Sequence, residues 1–184
     1  MQNTFNLQSK SDKFIKLEEE LISSLIEQPI IIVLRPRNKD LEEINAKNNL
    51  FLVLTLLYSY GIKHVEVSWL KDSRWLLLMK FFQKEFPKIK FGAASITTYK
   101  GLNSLSEAGL NYATSPTLSK SLQNKARGKN IILIPGVFSP TEIQKSKRFG
   151  CKIIKIFPAT KLGLSYINQI YSPLGGLPFL IAAG

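Results

Sequence analysis

The chain is poor in the residues that most often build metal and redox sites. Among 184 residues it has one cysteine, Cys151, and one histidine, His64. A lone cysteine excludes an internal disulfide framework and fits a reducing compartment. Its place at the head of an apolar run predicts a packed core thiol. A lone histidine excludes a metal site built from several histidines, and any Ser-His or Cys-His nucleophile would have to use it. His64 is expected at the mouth of a strand, as a polar surface residue. No apolar run approaches the length of a membrane span. Residues 1–28 are interrupted by Glu18, Glu19 and Glu20 and are too polar for a signal peptide, so a cytoplasmic location is expected. No glycine-rich dinucleotide fingerprint occurs. The net charge of +12 would attract anions of any kind. Its lysines are scattered, however, without a compact basic run interleaved with aromatics, so neither a specific nucleic-acid partner nor a membrane is expected.

What is present reads as one globular domain, with 45% apolar and 21% charged residues. Residues 1–28 form a polar segment and a leading helix. Residues 1–11 look loose, Ser11 is a possible N-cap, and Phe14, Leu17, Leu21, Ile22 and Leu25 recur at helical spacing. From residue 29 onward, strand and helix alternate. Ile30 to Leu34 reads as a strand buried on both faces, followed by a helix opening near Asp40 and Glu43 and closing at Gly61. Further strands are expected at Val65–Ser68, Ile89–Ser95, Leu110–Thr114, Ile131–Ile134, Ile153–Phe157 and Leu177–Ile181. Ser139-Pro140-Thr141-Glu142 has the form of a capped helix start. Such alternation implies parallel strands joined by crossover helices. The expected fold is α/β, a (β/α)8 TIM-type barrel over residues 29–184 that lacks the eighth strand and last helices.

In a barrel, chemistry collects at the carboxyl ends of the strands. Those ends carry Arg35, Glu66, Ser95, Ser115-Pro116, Pro135-Gly136 and Lys155. Lys155 lies within the apolar run Ile153, Ile154, Ile156, Phe157. Burial there would lower its pKa and free the amine to attack a carbonyl, which is how a Schiff-base lysine arises. A strand-end lysine reaching into solvent is the plainer alternative. Glu66 lies between Val65 and Val67, which face the other side of the strand. A carboxylate packed against helices would be a buried unpaired charge, so the lumen beside Lys155 is the less costly place.

These residues carry a resemblance. The chain resembles the 2-keto-3-deoxy-6-phosphogluconate (KDPG) / 4-hydroxy-2-oxoglutarate (KHG) aldolase family. The matching pieces are Ile32-Val33-Leu34-Arg35, Val65-Glu66-Val67-Ser68, Gly92-Ala93-Ala94-Ser95, Thr114-Ser115-Pro116, Ile134-Pro135-Gly136-Val137 and Lys155-Ile156-Phe157-Pro158-Ala159. They occur in family order between residues 29 and 184. The resemblance implies a class I aldolase, usually a homotrimer, acting on a small anionic keto acid without metal or other cofactor. The covalent imine would form on Lys155. It implies that Glu66 is the general acid/base, that Ser95 holds the pyruvyl carboxylate, and that Arg35 binds an anionic group. It also implies that Pro116 and Gly184 fall in substrate-binding turns. The resemblance further implies carbohydrate metabolism of the Entner-Doudoroff type.

The departures are specific. Where the family often has an arginine four residues after the glutamate, this chain has Leu70, with Lys71 and Arg74 nearby. Ser115-Pro116-Thr117 replaces Ser-Pro-Gly, and Ile181-Ala182-Ala183-Gly184 stands where a Pro-Thr-Gly-Gly phosphate cradle is usual. The chain is therefore expected to be C-terminally truncated relative to the family. Two other readings stay open: a truncated, catalytically impaired barrel that binds an anion or partner, and a related sugar-phosphate barrel enzyme that has no need of Lys155.

Overall fold

Period-two alternation sorts the strand side chains between two environments, and this sorting turns Glu66 of one strand and Lys155 of another inward. The computed structural model describes residues 2–184, with side chains from Asp12 onward except Leu164. The helices are α1 (Gln2–Glu27), α2 (Asn38–Glu42), α3 (Asn49–Ser59), α4 (Arg74–Glu85), α5 (Tyr99–Glu107), α6 (Lys120–Arg127), α7 (Pro140–Arg148) and α8 (Gly163–Tyr171). The strands are β1 (Ile32–Leu34), β2 (His64–Ser68), β3 (Lys90–Ala94), β4 (Tyr112–Thr114), β5 (Ile132–Ile134), β6 (Gly136–Val137), β7 (Ile153–Ile156) and β8 (Phe179–Ala182). All pairings are parallel, in the orders β1-β2-β3-β4-β5 and β6-β7-β8. Pro135, which has no N–H, separates β5 from β6, yet its carbonyl still accepts from the Lys155 N–H at 2.9 Å. The two groups of strands thus form one arc of seven barrel positions.

On the outer face, Val65 and Val67 pack with Leu54, Trp75 and Leu78. Further round the arc, Ile154 and Ile156 pack with Ile143 and Ile170. On the inner face, Tyr112, Ile132, Ile134 and Ile153 meet Phe14, Leu21 and Leu25 of α1. The leading helix therefore plugs the amino-terminal end of the arc. Among the described residues, the outer edges of β1 and β8 pair with no further strand, as expected of a barrel whose eighth position is empty.

Several expectations are corrected. The leading helix begins at Gln2 rather than near Ser11, because residues 2–27 contain no proline or glycine to stop it. β1 is not buried on both faces: Val33 is 41% exposed, because β1 has a strand on one side only. The helix expected from Asp40 is two helices. Asp40 caps α2 by accepting from the Arg37 N–H, while Asn48 starts α3 by accepting from the N–H groups of Leu50 and Phe51. Asn48 also donates to the carbonyls of Asp40 and Glu43, which fixes the break between them. Pairing of β8 starts at Phe179, because Pro178 has no N–H to give. The capping box of Ser139 and Glu142 is present as expected.

His64 is not a surface residue. It is fully buried on the inner face of β2, with its ring edge-on to Tyr112 and its Nε2 2.9 Å from the Ser24 hydroxyl of α1. The alternation that turns Glu66 inward turns His64 inward as well, and α1 covers it. Burial lowers its pKa below 6.5, and nearby Lys90 and Lys63 push the same way against the Ser24 bond. The folded chain therefore holds His64 neutral. Its contribution is present above pH 6.5 and is lost as pH falls through the depressed folded value. We predict that the difference in unfolding free energy between wild type and His64→Leu shrinks on acidification from pH 7, because only the wild type carries this His64 component. Parallel pH dependence in the two chains, measured by denaturant unfolding, would contradict it.

Candidate active site

The carboxyl ends of the strands open into a cavity of about 610 Å³ lined by Arg35, Glu66, Ser95, Thr114, Pro116, Lys155 and Gly184. All six site residues expected from the sequence thus face one space. The cavity lies where β1 and β8 face each other across the unfilled position, and Ile32, Val33 and Ile181 supply its apolar wall.

Lys155 sits on β7 between Ile154 and Ile156, which point into the helix layer, so its own side chain points inward. It is half-buried, with Nζ 5.1 Å from the centre of the Phe157 ring. Burial lowers its pKa; Arg35 adds to this, and the Glu66 carboxyl opposes it. Glu66 is fully buried on β2, with Oε2 accepting a 2.7 Å hydrogen bond from the Thr114 hydroxyl and Oε1 unpartnered. Burial pushes its carboxyl up to about 7, against the lowering effects of Thr114, Lys155 and Arg35. Among the described residues, no direct ion pair joins Lys155 to Glu66; each feels the other's charge through space. The arrangement therefore presents an amine shifted toward neutrality and a carboxyl that titrates near neutral pH. These are the properties of a nucleophile and of a proton shuttle.

The other residues shape the mouth. Arg35 follows β1, and its Nη1 donates to the Ser68 hydroxyl at 3.1 Å, which leaves the rest of the exposed guanidinium free of protein partners among the described residues. Ser95 follows β3 with φ +66°, a left-handed conformation that is costly for a residue with a Cβ. Its hydroxyl is exposed at the mouth. Gly136 lets β6 approach the turn after β4, since a Cβ there would fall 2.6 Å from the Pro116 carbonyl oxygen. Ala159 N–H donates to the Ala183 carbonyl at 2.7 Å, holding the turn after β7 against the segment that carries Gly184.

Arg74 and Lys71 do not take the place of the arginine absent at Leu70. Arg74 is held by Asp72 at 2.7 Å, and neither residue lines the cavity. Sequence reasoning missed Thr114, Ser68 and Phe157 as site residues. The signal for Thr114 was legible: it is two residues from Tyr112 on β4, so it shares the inward face. A larger groove of about 840 Å³ lies at the opposite end, between α1 and the starts of β2 and β3. Its Lys63 and Glu27 pair at 2.9 Å on the surface, and no buried ionisable side chain faces it. Among the described residues, no three His, Cys, Asp or Glu side chains come together as metal ligands. No described helix is long and apolar enough to cross a membrane.

Comparison with known proteins bears on this geometry. Residues 22–184 match the family described as KDPG and KHG aldolase. The chain is similar to the 2-dehydro-3-deoxy-phosphogluconate aldolase of Pseudoalteromonas atlantica, with 31% identity over 129 residues. It is also similar to the KHG/KDPG aldolase of Escherichia coli, with 29% identity over the same length. Each match covers 70% of this chain and 60% of the relative, so the chain spans less than two thirds of either enzyme. Among solved structures, the KDPG aldolase of Zymomonas mobilis ZM4 matches with a TM-score of 0.69 and 26% identity, covering 89% of this chain and 74% of that one. The Legionella pneumophila KDPG aldolase, captured with pyruvate as a covalent carbinolamine, shares the fold with a TM-score of 0.68 and 24% identity, over 85% of this chain and 72% of that one. A family match running from α1 through β8 and a shared architecture agree, and the chain belongs to the KDPG and KHG aldolase family.

Proposed function

We propose that the chain is a class I aldolase, cleaving a 2-keto-3-deoxy-6-phosphogluconate or 4-hydroxy-2-oxoglutarate type substrate to pyruvate and an aldehyde. The observation that carries this reading is the meeting of Lys155 and Glu66 in one cavity, each shifted toward its neutral form. The Lys155 amine attacks the C2 carbonyl to form a carbinolamine. The carbinolamine hydroxyl takes a proton from the Glu66 carboxyl and leaves as water, which gives a protonated imine. Glu66, now ionised, accepts the C4 hydroxyl proton, directly or through water, as the C3–C4 bond breaks. The bond's electrons flow into the imine, and the aldehyde departs. Protonation of the resulting enamine at C3 and hydrolysis release pyruvate and regenerate the amine. The aldehyde is glyceraldehyde 3-phosphate for the six-carbon acid and glyoxylate for the smaller one.

In this reading Ser95 holds the pyruvyl carboxylate and Arg35 meets the substrate's second anionic group. Pro116 and Gly184 bound the site through backbone. The excess of positive charge at the mouth suits a small anionic keto acid, and no cofactor is needed beyond the imine on Lys155. We further propose a cytoplasmic homotrimer serving carbohydrate breakdown of the Entner-Doudoroff type.

The Lys155–Glu66 pair has two measurable consequences. Borohydride added with pyruvate should fix a pyruvyl adduct on the peptide that contains Lys155, and none in Lys155→Ala. A folded wild-type sample without that adduct by mass spectrometry would refute the aldolase reading. The second concerns stability. Below pH 4.5, the unfolded value for Glu66, folded and unfolded chains both hold its proton. Between there and about 7 only the unfolded chain releases it, so the contribution of Glu66 to folding stability falls as pH rises across that window. The full effect is roughly 3 kcal/mol. Glu66→Gln should flatten this decline in pH-dependent urea unfolding. An unchanged slope would mean that Glu66 is not the buried group described here.

A further inference from the structure

Glu66 has two oxygens in unequal surroundings. Oε2 accepts from the Thr114 Oγ1–H at 2.7 Å, and that hydroxyl is itself buried on the inner face of β4. Oε1 is buried without any protein partner. The hydrogen bond reaches across one intervening strand, since β2 pairs with β3 and β3 with β4, so the sheet register fixes it. We propose that Thr114 is a positioning residue for Glu66: its hydroxyl holds Oε2 as an acceptor and leaves Oε1 as the oxygen that gives and takes protons. The proposal rests on the aldolase reading for what those protons do, but the division between the two oxygens does not depend on it.

A free carboxyl presents two equivalent oxygens and turns about its last bond, so half of its orientations aim the proton away from a given acceptor. A buried donor bonded to one oxygen removes that freedom. It also favours the charged form, because a hydrogen bond to a carboxylate is stronger than one to the neutral acid. The groups that bear on Glu66 charge are few. Lys155 from β7 and Arg35 beyond β1 favour ionisation, and burial opposes it. Tyr112 on β4 feels the carboxylate charge, but burial raises the Tyr112 phenol well above 10, so it stays neutral in the range that matters. His64 lies two residues along the same face of β2 and is held neutral by burial. Thr114 is the one hydroxyl bonded to the carboxyl among the described residues.

Thr114→Val keeps the shape and removes the donor, and Thr114→Ser keeps the donor. The first readout is the Glu66 carboxyl carbon, titrated by NMR in selectively labelled protein and assigned with Glu66→Gln. Its midpoint should rise from near 7 in Thr114→Val by about one pH unit, the effect of losing one hydrogen bond to a charged group. Thr114→Ser should return it toward the wild-type value. The second readout is turnover. The mechanism starts from protonated Glu66, so the alkaline limb of activity set by Glu66 ionisation should move up by about one pH unit in Thr114→Val and return in Thr114→Ser. A merely structural role would lower the unfolding temperature without moving the midpoint.

A Glu66 midpoint unchanged in Thr114→Val overturns the proposal, even if pyruvate trapping on Lys155 succeeds. A midpoint that moves in Thr114→Val and returns in Thr114→Ser supports it. If the midpoint moves but wild-type protein never traps pyruvate, Thr114 still orients the carboxyl and it is the aldolase reading that fails.

Discussion

The site depends on placing an amine and a carboxyl of opposite charge type in one poorly hydrated mouth without letting them neutralise each other in a contact pair. Burial drives each toward its uncharged form, while their mutual attraction drives each toward its charged form. Burial wins for Glu66, which is wholly enclosed on β2. It wins by less for Lys155, whose half-exposed amine can still reach water. A direct ion pair would have pinned both groups in their charged states and left the lysine a poor nucleophile. The two sit on strands four positions apart in the arc, so the cavity separates them while its low polarity keeps them in electrical contact.

The rest of the chain maintains that separation. Leu21 and Leu25 of α1 close the amino-terminal end with Tyr112, Ile132 and Ile153, so water reaches the inner face from the strand carboxyl ends. The Ser24–His64 bond ties this plug to the same strand that carries Glu66. Trp75 of α4 donates its indole N–H to the Ser68 carbonyl at the other end of β2. That strand is therefore held from both ends and buried at every residue. A carboxyl that titrates near neutrality is a destabilising feature, and such features persist where the surrounding structure is over-determined and activity needs them.

Much of this is legible in the order of the amino acids. Strand and helix alternation implies the parallel arc, and the position of a residue at a strand's carboxyl end is enough to bring Arg35, Glu66, Ser95, Pro116 and Lys155 to one mouth. What could not be read depended on contacts across the fold. His64 has the same parity as Glu66, but whether its end of β2 meets water depends on how α1 docks. The Thr114–Glu66 bond requires the register of three strands, and no local pattern announces it. The break between α2 and α3 turns on Asn48 bonding backwards to two carbonyls, a role that its composition alone does not distinguish from an ordinary cap. The missing strand position left β1 half open, so an apolar run that reads as a central strand became an edge.

The most direct test of the central claim is the titration of the Lys155 amine itself. With lysines carbon-13 labelled by reductive methylation, one resonance, absent in Lys155→Ala, should titrate clearly below the ordinary lysine value of 10.5, and lower still in Glu66→Gln. A Lys155 signal that moves with the surface lysines, and is indifferent to Glu66, would show that the two groups do not share the environment described here.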